Sequence, residues 1–200
     1  KEKTKPWGIT IISLLIIALG TRTIIRNVDW KNQDNLWLAT AKTSPSSPQN
    51  HNNLGDLWAR RGDLDRAIEE FQIAINLNPR YADAYHNLAN IYQQKGDWQK
   101  ALENYQKAVA INPAIWQSWQ NMAAIYYEQK DFKKAKEMTL KLLEVKPDLP
   151  YLYQNLGLIC YQLNQLEEAK KYLEIAQKVN PQDKEIENLL LEIKKQEGKN

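Results

Sequence analysis

The sequence predicts an all-α protein built as a solenoid of tandem helical hairpins. Three observations predict this class. The 200 residues include only seven Gly and two Phe, whereas Ala, Leu, Gln, Lys and Glu are abundant, as is typical of helical proteins. Residues of the same kind recur at a constant spacing of 34. Each such unit contains two amphipathic segments of about 14 residues with helical periodicity, and a period of this length is the signature of repeat architectures.

The 34-residue period is visible in several columns of equivalent positions. One column is proline throughout, another is alanine, and others keep an aliphatic, a small or an aromatic residue. Chance does not explain several columns that share one spacing. The columns are Pro45, Pro79, Pro113, Pro147 and Pro181; Ala67, Ala101, Ala135 and Ala169; Leu54, Leu88, Met122 and Leu156; Gly55, Ala89, Ala123 and Gly157; and Trp58, Tyr92, Tyr126 and Cys160.

The second repeat shows how one unit is built. Its helices are predicted from Ala82 to Lys95 and from Trp98 to Ile111, with Gly96 and Asp97 between them. The repeated proline ends the second helix and turns the chain into the next unit. The column of Gly and Ala lets the two helix backbones approach closely, and the aromatic column fills the space beside that approach.

The turn inside each hairpin requires a left-handed residue. Gly62 and Gly96 adopt this conformation without steric cost, whereas Lys130 and Asn164 stand at the equivalent positions of the third and fourth repeats. Asn tolerates left-handed geometry, but Lys130 should cost about 1 kcal/mol there. Cys160, the single cysteine, is expected to be a small buried apolar residue.

These columns resemble those of the tetratricopeptide repeat family, and the resemblance covers four repeats in residues 48–183. It implies a right-handed superhelix whose first helices line a concave groove that holds a peptide or a partner helix. A single hairpin cannot bury its own apolar face, so the stack needs capped ends. Residues 28–47 are therefore predicted to be a linker with an N-capping helix, and residues 184–200 a C-capping helix.

Residues 1–27 are predicted to combine a basic flank with a transmembrane helix. No residue from Trp7 to Thr21 is charged, and the run continued through Arg22 to Ile25 has 19 residues. As a helix it is about 28 Å long, close to the thickness of a bilayer's hydrocarbon core. A secretory signal peptide and a buried helix of a soluble protein remain open as alternatives. Basic residues flank both ends, so their charge does not orient the segment.

The junction before the repeats carries a second resemblance. An Arg-Asn-x-Asp-Trp stretch is followed by a Leu-Trp helix that ends in Ser-Pro45 and then by His51-Asn-Asn-Leu-Gly. This order resembles the carboxy-terminal part of membrane glycosyltransferases of the protein O-mannosyltransferase type. It implies that the repeats follow the last membrane helix on the extracytoplasmic or lumenal side. The membrane-embedded catalytic region of those enzymes is absent from this chain.

One column is not required by packing. An asparagine precedes the Leu or Met column in all four repeats, at the edge of the apolar stripe of the first helix. A primary amide there could donate to and accept from the backbone of an extended peptide, and the arrangement resembles the asparagine ladder of O-GlcNAc transferase. Alternatively, this asparagine serves local helix contacts, as is common in the repeat family. The column is Asn53, Asn87, Asn121 and Asn155.

The other candidate groove residues lie one turn away on the first helices. They are polar and rich in amides at the start of the solenoid and more apolar toward its end. They lack the Lys and Arg set that clamps a peptide carboxyl terminus. These residues are Asn52, Asp56, Arg60, His86, Asn90, Gln94, Gln120, Ala124, Tyr127, Glu128, Gln154, Leu158 and Tyr161.

Composition and spacing argue against other classes of function. The net charge is +3 and the two signs are interspersed, so no basic face for nucleic acid is indicated. His51 and His86 have no further ligands at metal spacing, and Ser44, Ser46 and Ser47 have no general base nearby in sequence. The paired carboxylates of the second helices, such as Glu69 with Glu70 and Glu167 with Glu168, are interpreted as solvated surface. We therefore expect no catalytic residue, metal or cofactor.

The sequence thus predicts a membrane-anchored scaffold that binds a protein or an extended peptide through its groove, with the membrane contact made by residues 7–25. The alternative is the substrate-presenting repeat region of a polytopic membrane glycosyltransferase. The identity of the partner, the membrane side and the oligomeric state do not follow from the residues.

Overall fold

The computed structural model describes residues 33–197 of the chain, which form α-helices and contain no strand. They divide into two compact units between Pro79 and Arg80. The predicted membrane helix at residues 7–25 lies outside the described residues. Within residues 33–197, no helix is both long and apolar enough to cross a bilayer.

The first unit contains a single helix followed by one hairpin. The helices are α1 (Gln33–Thr43), α2 (Pro48–Arg60) and α3 (Leu64–Leu77). Helix α1 packs against α2, and the buried Asn50 side chain donates to two carbonyl oxygens at the end of α1, Thr40 O at 3.4 Å and Ser44 O at 3.3 Å. These bonds satisfy part of the exposed carbonyl end of that helix.

The second unit contains three hairpins and a final helix. The hairpins are α4 (Ala82–Gln94) with α5 (Trp98–Ile111), α6 (Trp116–Glu128) with α7 (Phe132–Val145), and α8 (Tyr151–Gln162) with α9 (Leu166–Val179). Helix α10 (Lys184–Glu197) follows. The predicted bounds of α4 and α5 are correct to within one residue, because α4 ends at Gln94 instead of Lys95.

The hairpin turns have the conformation that the sequence predicts. Gly62 and Gly96 have φ of 81° and 78°, and Lys130 and Asn164 have φ of 59° and 57°. An aspartate immediately precedes each of the helices α3, α5 and α7, and its side chain accepts a hydrogen bond from a backbone N–H of the first turn. Gln165, which precedes α9, makes no such bond. Turn and cap residues thus define the hairpins locally.

The column of small residues marks close approach within the hairpins. A Cβ added at Gly55 would lie 2.6 Å from Cε1 of Phe71, and one at Gly157 would lie 2.5 Å from Cγ of Leu173. Both distances are far below van der Waals contact. The small residue of the first helix therefore leaves room for a large side chain of the second helix, whereas the sequence predicted room for the approach of the helix backbones.

The final helix covers the apolar end of the second unit. Ile186 and Ile193 of α10 are buried in a cluster with Cys160, Leu173 and other residues of the last hairpin. Cys160 is fully buried, as predicted, and burial raises the pKa of its thiol. Helix α10 therefore covers apolar surface of the last hairpin and presents charged residues to solvent.

Candidate binding site

Helices α4, α6 and α8 of the second unit carry most of the predicted groove residues, and we call their common surface the first-helix face. These three helices contain no Lys or Arg, and their acidic residues are Asp83 and Glu128. The Lys and Glu residues of this unit's hairpins lie mostly on the second helices α5, α7 and α9. The first-helix face is therefore lined by amide and aromatic side chains and carries no cation of its own.

Tyr105 of α5 lies at the centre of a hydrogen-bond network beneath α4 and α6, and its side chain is fully buried. Its hydroxyl is 2.5 Å from Asn90 Oδ1 and 2.6 Å from Gln93 Oε1 and donates its single proton to one of them. Asn121 Nδ2 donates to the Tyr105 hydroxyl at 2.8 Å and to Asn90 Oδ1 at 3.1 Å. Burial raises the pKa of Tyr105 to about 12, so the phenol is protonated at neutral pH.

His86 connects this network to the next repeat. Asn90 Nδ2 donates to His86 Nε2 at 3.1 Å, so the ring proton lies on Nδ1, which donates to the buried Ser118 Oγ at 2.8 Å. The imidazole centroid is 5.6 Å from that of Tyr105. Burial lowers the pKa of His86, although the charge of Asp83 opposes the shift. His86 is therefore a neutral member of the network at pH 7.

A cavity of about 330 Å³ opens between α6 and α8, and Thr139 and Leu142 of α7 form its floor. Tyr127 and Tyr151 line it and are each 39% exposed. The Tyr151 hydroxyl donates to Gln120 Oε1 at 3.0 Å. Six of the lining residues are predicted groove residues, namely Gln120, Ala124, Tyr127, Glu128, Asn155 and Leu158.

The residues that line the cavity in the third repeat are equivalent, by the 34-residue spacing, to those of the Tyr105 network in the second repeat. The column that contains Tyr105 reads Phe71, Tyr105, Thr139 and Leu173, and Thr139 is its smallest member. The Thr139 hydroxyl is buried and donates back to its own helix, to Ala135 O at 2.8 Å. Each network residue has a cavity residue 34 positions later: Tyr105 with Thr139, His86 with Gln120, Asn90 with Ala124, Gln93 with Tyr127, and Asn121 with Asn155.

The remaining predicted residues of the second unit lie near the ends of the first-helix face. Gln94 is exposed at the end of α4. Gln154 Nε2 donates to Glu185 Oε2 at 3.3 Å, and the Tyr161 hydroxyl donates to Glu192 Oε2 at 3.2 Å. The two bonds connect α8 to α10.

In the first unit, the predicted groove residues lie on α2. Asn52 is buried and Asn53 is half-buried. Asp56 and Arg60 are exposed and form an ion pair with Nε and Oδ2 3.2 Å apart, a surface contact of small energetic value.

His51 makes polar contacts through both ring nitrogens. Its Nδ1 lies 2.7 Å from Glu70 Oε2, and its Nε2 lies 2.8 Å from Pro45 O. The interpretation of Glu69 and Glu70 as solvated surface is therefore wrong for Glu70, which is half-buried because the helical spacing turns it toward α2, while Glu69 is exposed.

The four asparagines of the predicted ladder occupy different environments. Asn53 and Asn87 are half-buried, Asn121 donates within the Tyr105 network, and Asn155 is exposed at the cavity. The Asn155 amide has no hydrogen-bond partner within residues 33–197. A peptide-binding role for this column stays a prediction.

Sequence reasoning missed the two residues that control this region, Tyr105 and Thr139. Both lie on second helices, whereas the search for ligand-binding residues was confined to the first helices. The 34-residue spacing contained the signal, since Thr139 interrupts a column of large residues. In the part of the chain that the structure describes, no group of three or more His, Cys, Asp or Glu side chains is arranged to hold a metal ion.

Comparison with known proteins identifies relatives of two kinds. A family model described as the cilia and flagella-associated protein 70 C-terminal domain matches residues 29–196. The protein O-mannosyl-transferase Tmtc2 of Drosophila melanogaster is 30% identical over 84 residues, which are 42% of this chain and 9% of that protein. Its Xenopus laevis counterpart is 30% identical over 69 residues, 34% of this chain and 8% of that protein. The chain thus spans under a tenth of the curated relatives' length.

Solved structures share the fold at low sequence identity. YrrB, described as a TPR protein with an unusual peptide-binding site, superposes with a TM-score of 0.72 at 15% identity and covers 81% of this chain and 84% of its own. MamA superposes with a TM-score of 0.64 at 22% identity and covers 82% of this chain and 90% of its own. These likenesses show the fold, and the family match over residues 29–196 shows that the chain belongs to the family of the cilia and flagella-associated protein 70 C-terminal domain, a tetratricopeptide repeat family.

Proposed function

We propose that this chain is a membrane-anchored tetratricopeptide scaffold whose first-helix face binds an extended peptide segment of a partner protein. One observation carries the proposal: the cavity between α6 and α8 opens on this face beside the Asn155 amide, which has no hydrogen-bond partner within residues 33–197. A peptide backbone offers both a donor and an acceptor to such an amide. Proteins with this fold are generally non-catalytic scaffolds, and we propose the same for this chain.

The chemistry of the first-helix face favours a peptide over other ligands. Amides and aromatic rings bind main-chain groups and apolar side chains, whereas the absence of Lys and Arg from α4, α6 and α8 disfavours an anionic ligand such as nucleic acid or a peptide carboxyl terminus. The structurally similar YrrB is described as having a peptide-binding site, which supports the assignment at the level of the fold.

The test is binding of a random peptide library to the full chain and to a variant with Gln120→Ala and Asn155→Ala. We expect the double variant to lose binding by on the order of tenfold, because two polar contacts at the cavity are removed. Asn76→Ala is the matched control, since Asn76 is an exposed amide on α3. Equal binding by the double variant and the control would remove this face from the mechanism.

The membrane anchor is proposed for residues 7–25, with the repeats on the extracytoplasmic side. The uncharged run from Trp7 to Thr21 and the partial likeness to a membrane O-mannosyl-transferase support this proposal. Alkaline extraction of membranes should leave the full chain in the pellet and release a variant that lacks residues 7–25. Protease treatment of sealed vesicles then assigns the side. Complete release of the full chain by alkali would contradict the anchor.

The second candidate is the substrate-presenting repeat region of a polytopic membrane glycosyltransferase. The likeness to Tmtc2 over 84 residues favours it. Sequencing the gene upstream of the codon for Lys1 tests the idea directly. We expect an open reading frame that encodes further membrane helices, and a start codon or stop codon immediately upstream would exclude this candidate.

A further inference from the structure

The cavity in the third repeat has the position of a tyrosine side chain. In the second repeat, the ring of Tyr105 fills the space beneath α4 and α6. In the third repeat, Thr139 stands at the same position of the hairpin, and a cavity of about 330 Å³ remains beneath α6 and α8. The third repeat therefore leaves open, at the equivalent position, space that an aromatic ring fills in the second repeat.

Most of the side chains that line the cavity are apolar or aromatic and can pack against such a ring. Leu142, Leu158 and Ile159 provide apolar surface, and the partly exposed rings of Tyr127 and Tyr151 line the same cavity. Burial of an aromatic side chain in contact with other rings is favourable beyond its area alone, by about 0.5–1.5 kcal/mol per pair.

The polar group at the opening of the cavity is the amide of Asn155. Its equivalent Asn121 donates to the Tyr105 hydroxyl at 2.8 Å, whereas Asn155 is exposed and has no hydrogen-bond partner in the described residues. A side chain that enters from the first-helix face has its backbone at the opening and the end of its ring beside Thr139. The Asn155 amide is therefore placed to donate to a main-chain carbonyl of the ligand.

The charge beside the cavity favours a basic residue next to the aromatic residue of the ligand. Glu128 lines the cavity, is exposed, and has no ion-pair partner within residues 33–197. With no Lys or Arg on α4, α6 or α8, its charge is not compensated on the first-helix face. A ligand with a basic residue beside its aromatic residue is thus complementary to this end of the face.

We propose that the cavity between α6 and α8 is a specificity pocket for a tyrosine or phenylalanine side chain of a basic peptide segment in a partner protein. The proposal rests on the proposed function and gives the chemistry of its ligand. The aromatic ring fills space equivalent to that of Tyr105 in the second repeat, Asn155 at the opening donates to a main-chain carbonyl of the peptide, and Glu128 attracts the flanking Lys or Arg.

Calorimetric titration of the full chain with a matched peptide set tests the ligand chemistry. The peptides are Gly-Lys-Tyr-Lys-Gly, its Phe and Ala analogues, and an analogue with Glu in place of both Lys. We expect the Tyr and Phe peptides to bind on the order of tenfold or more tighter than the Ala peptide, and the acidic analogue to bind weakest. Equal affinity of the Tyr and Ala peptides would overturn the proposal, as would preference for the acidic one.

Two variants at position 139 test whether the aromatic side chain of the peptide binds in this cavity. Thr139→Tyr restores the internal ring that Tyr105 provides in the second repeat, and we expect it to abolish the preference for Tyr over Ala while keeping the helical circular dichroism spectrum. Thr139→Val keeps the size of the side chain and should keep the preference. An unchanged preference in folded Thr139→Tyr would contradict the assignment to this cavity. If Thr139→Tyr fails to fold, Ala124→Leu, which narrows the cavity from the exposed side, must remove the preference instead.

Glu128→Gln tests the charge separately. It should weaken binding of the Lys-containing peptides about two- to fivefold and leave the acidic analogue unweakened, with the difference reduced at high salt. Failure of the proposed function would appear as no peptide binding at all. Failure of this inference alone would appear as peptide binding that ignores the aromatic residue and responds to Gln120→Ala with Asn155→Ala but not to Thr139→Tyr.

Discussion

The junction between the second and third repeats and the junction between the third and fourth repeats are built from equivalent helices but differ at four of the five network positions compared above. At the first junction, Tyr105 fills the space between the helices and holds Asn90, Gln93 and Asn121 in a closed network. At the second junction, Thr139 leaves a cavity of about 330 Å³. The comparison indicates that a side chain of a second helix, together with its neighbours on the first helices, can leave the first-helix face sealed or open.

The same comparison explains why equivalent asparagines differ. Asn121 and Asn155 occupy the same repeat position, but only Asn121 finds a hydroxyl to donate to. Asn155 faces the cavity instead. An amide column can therefore serve structure in one repeat and be available to a ligand in the next, so the two interpretations of the column are not exclusive.

Tyr105→Thr should have the largest effect, because it opens at the first junction the cavity that already exists at the second. We expect the free energy of unfolding to fall by about 3 to 5 kcal/mol, the usual cost of deleting a buried ring. Urea unfolding followed by circular dichroism measures it. Thr139→Val, which creates no cavity, should change the free energy by no more than about 1 kcal/mol. Similar losses in the two variants would refute the comparison.

Tyr105→Phe should have the next largest effect, since it keeps the ring and removes only the hydroxyl. Asn90, Gln93 and Asn121 then lose a shared partner, and we expect a loss of about 1 to 3 kcal/mol. A double-mutant cycle with Asn121→Ala provides the control, because two changes in one network are not additive. Strict additivity in the unfolding measurements would show that the hydroxyl and the Asn121 amide do not interact.

The fold was predictable because its determinants are local and periodic. A column of prolines, an aspartate or glycine at the first three hairpin turns and a small residue opposite a large one each specify one geometric requirement. The left-handed conformations of Gly96 and Lys130 followed from their repeat position alone. A helix before the repeats was predictable for the same reason, since Pro45 is in phase with the repeat prolines, whereas its capping role stays a prediction.

The candidate site was predictable only in part. The first helices could be identified as its location, and six predicted groove residues do line the cavity. The polarity of a side chain, however, does not indicate which group it bonds to in the folded chain. The engagement of Asn121 by Tyr105 depends on a side chain that comes from a different helix, and the cavity depends on the absence of such a side chain at Thr139. Neither is encoded in the periodicity of the helix that carries the amide.

Lys130→Gly tests a smaller difference between the second and third repeats. Gly96 adopts positive φ without a Cβ, whereas Lys130 adopts it with one. We expect Lys130→Gly to raise the free energy of unfolding by about 1 kcal/mol, as measured by urea unfolding. Gly96→Ala should lower it by a similar amount. A destabilised Lys130→Gly variant would mean that the lysine side chain contributes more than its backbone strain costs.

The smallest expected effect is the contribution of His86 to the pH dependence of the free energy of unfolding, and it appears only in part of the pH range. Burial lowers the pKa of His86 in the folded state below the ordinary imidazole value of about 6.5. Above this value the ring is neutral in both states, so it contributes no pH dependence. As the pH falls below 6.5, the unfolded chain binds the proton first, and the free energy of unfolding decreases until the folded-state pKa is passed.

The hydrogen bonds of His86 give the physical reason. A proton on Nε2 would face Asn90 Nδ2, which is also a donor, and reversing that amide would withdraw the oxygen that accepts from Tyr105 and Asn121. His86→Gln should therefore remove the loss of stability that the parent chain shows between about pH 6.5 and the folded-state pKa. Urea unfolding of both chains across this range measures it. Because Gln has no proton to gain, parallel pH profiles for the two chains would show that His86 is not the responsible group.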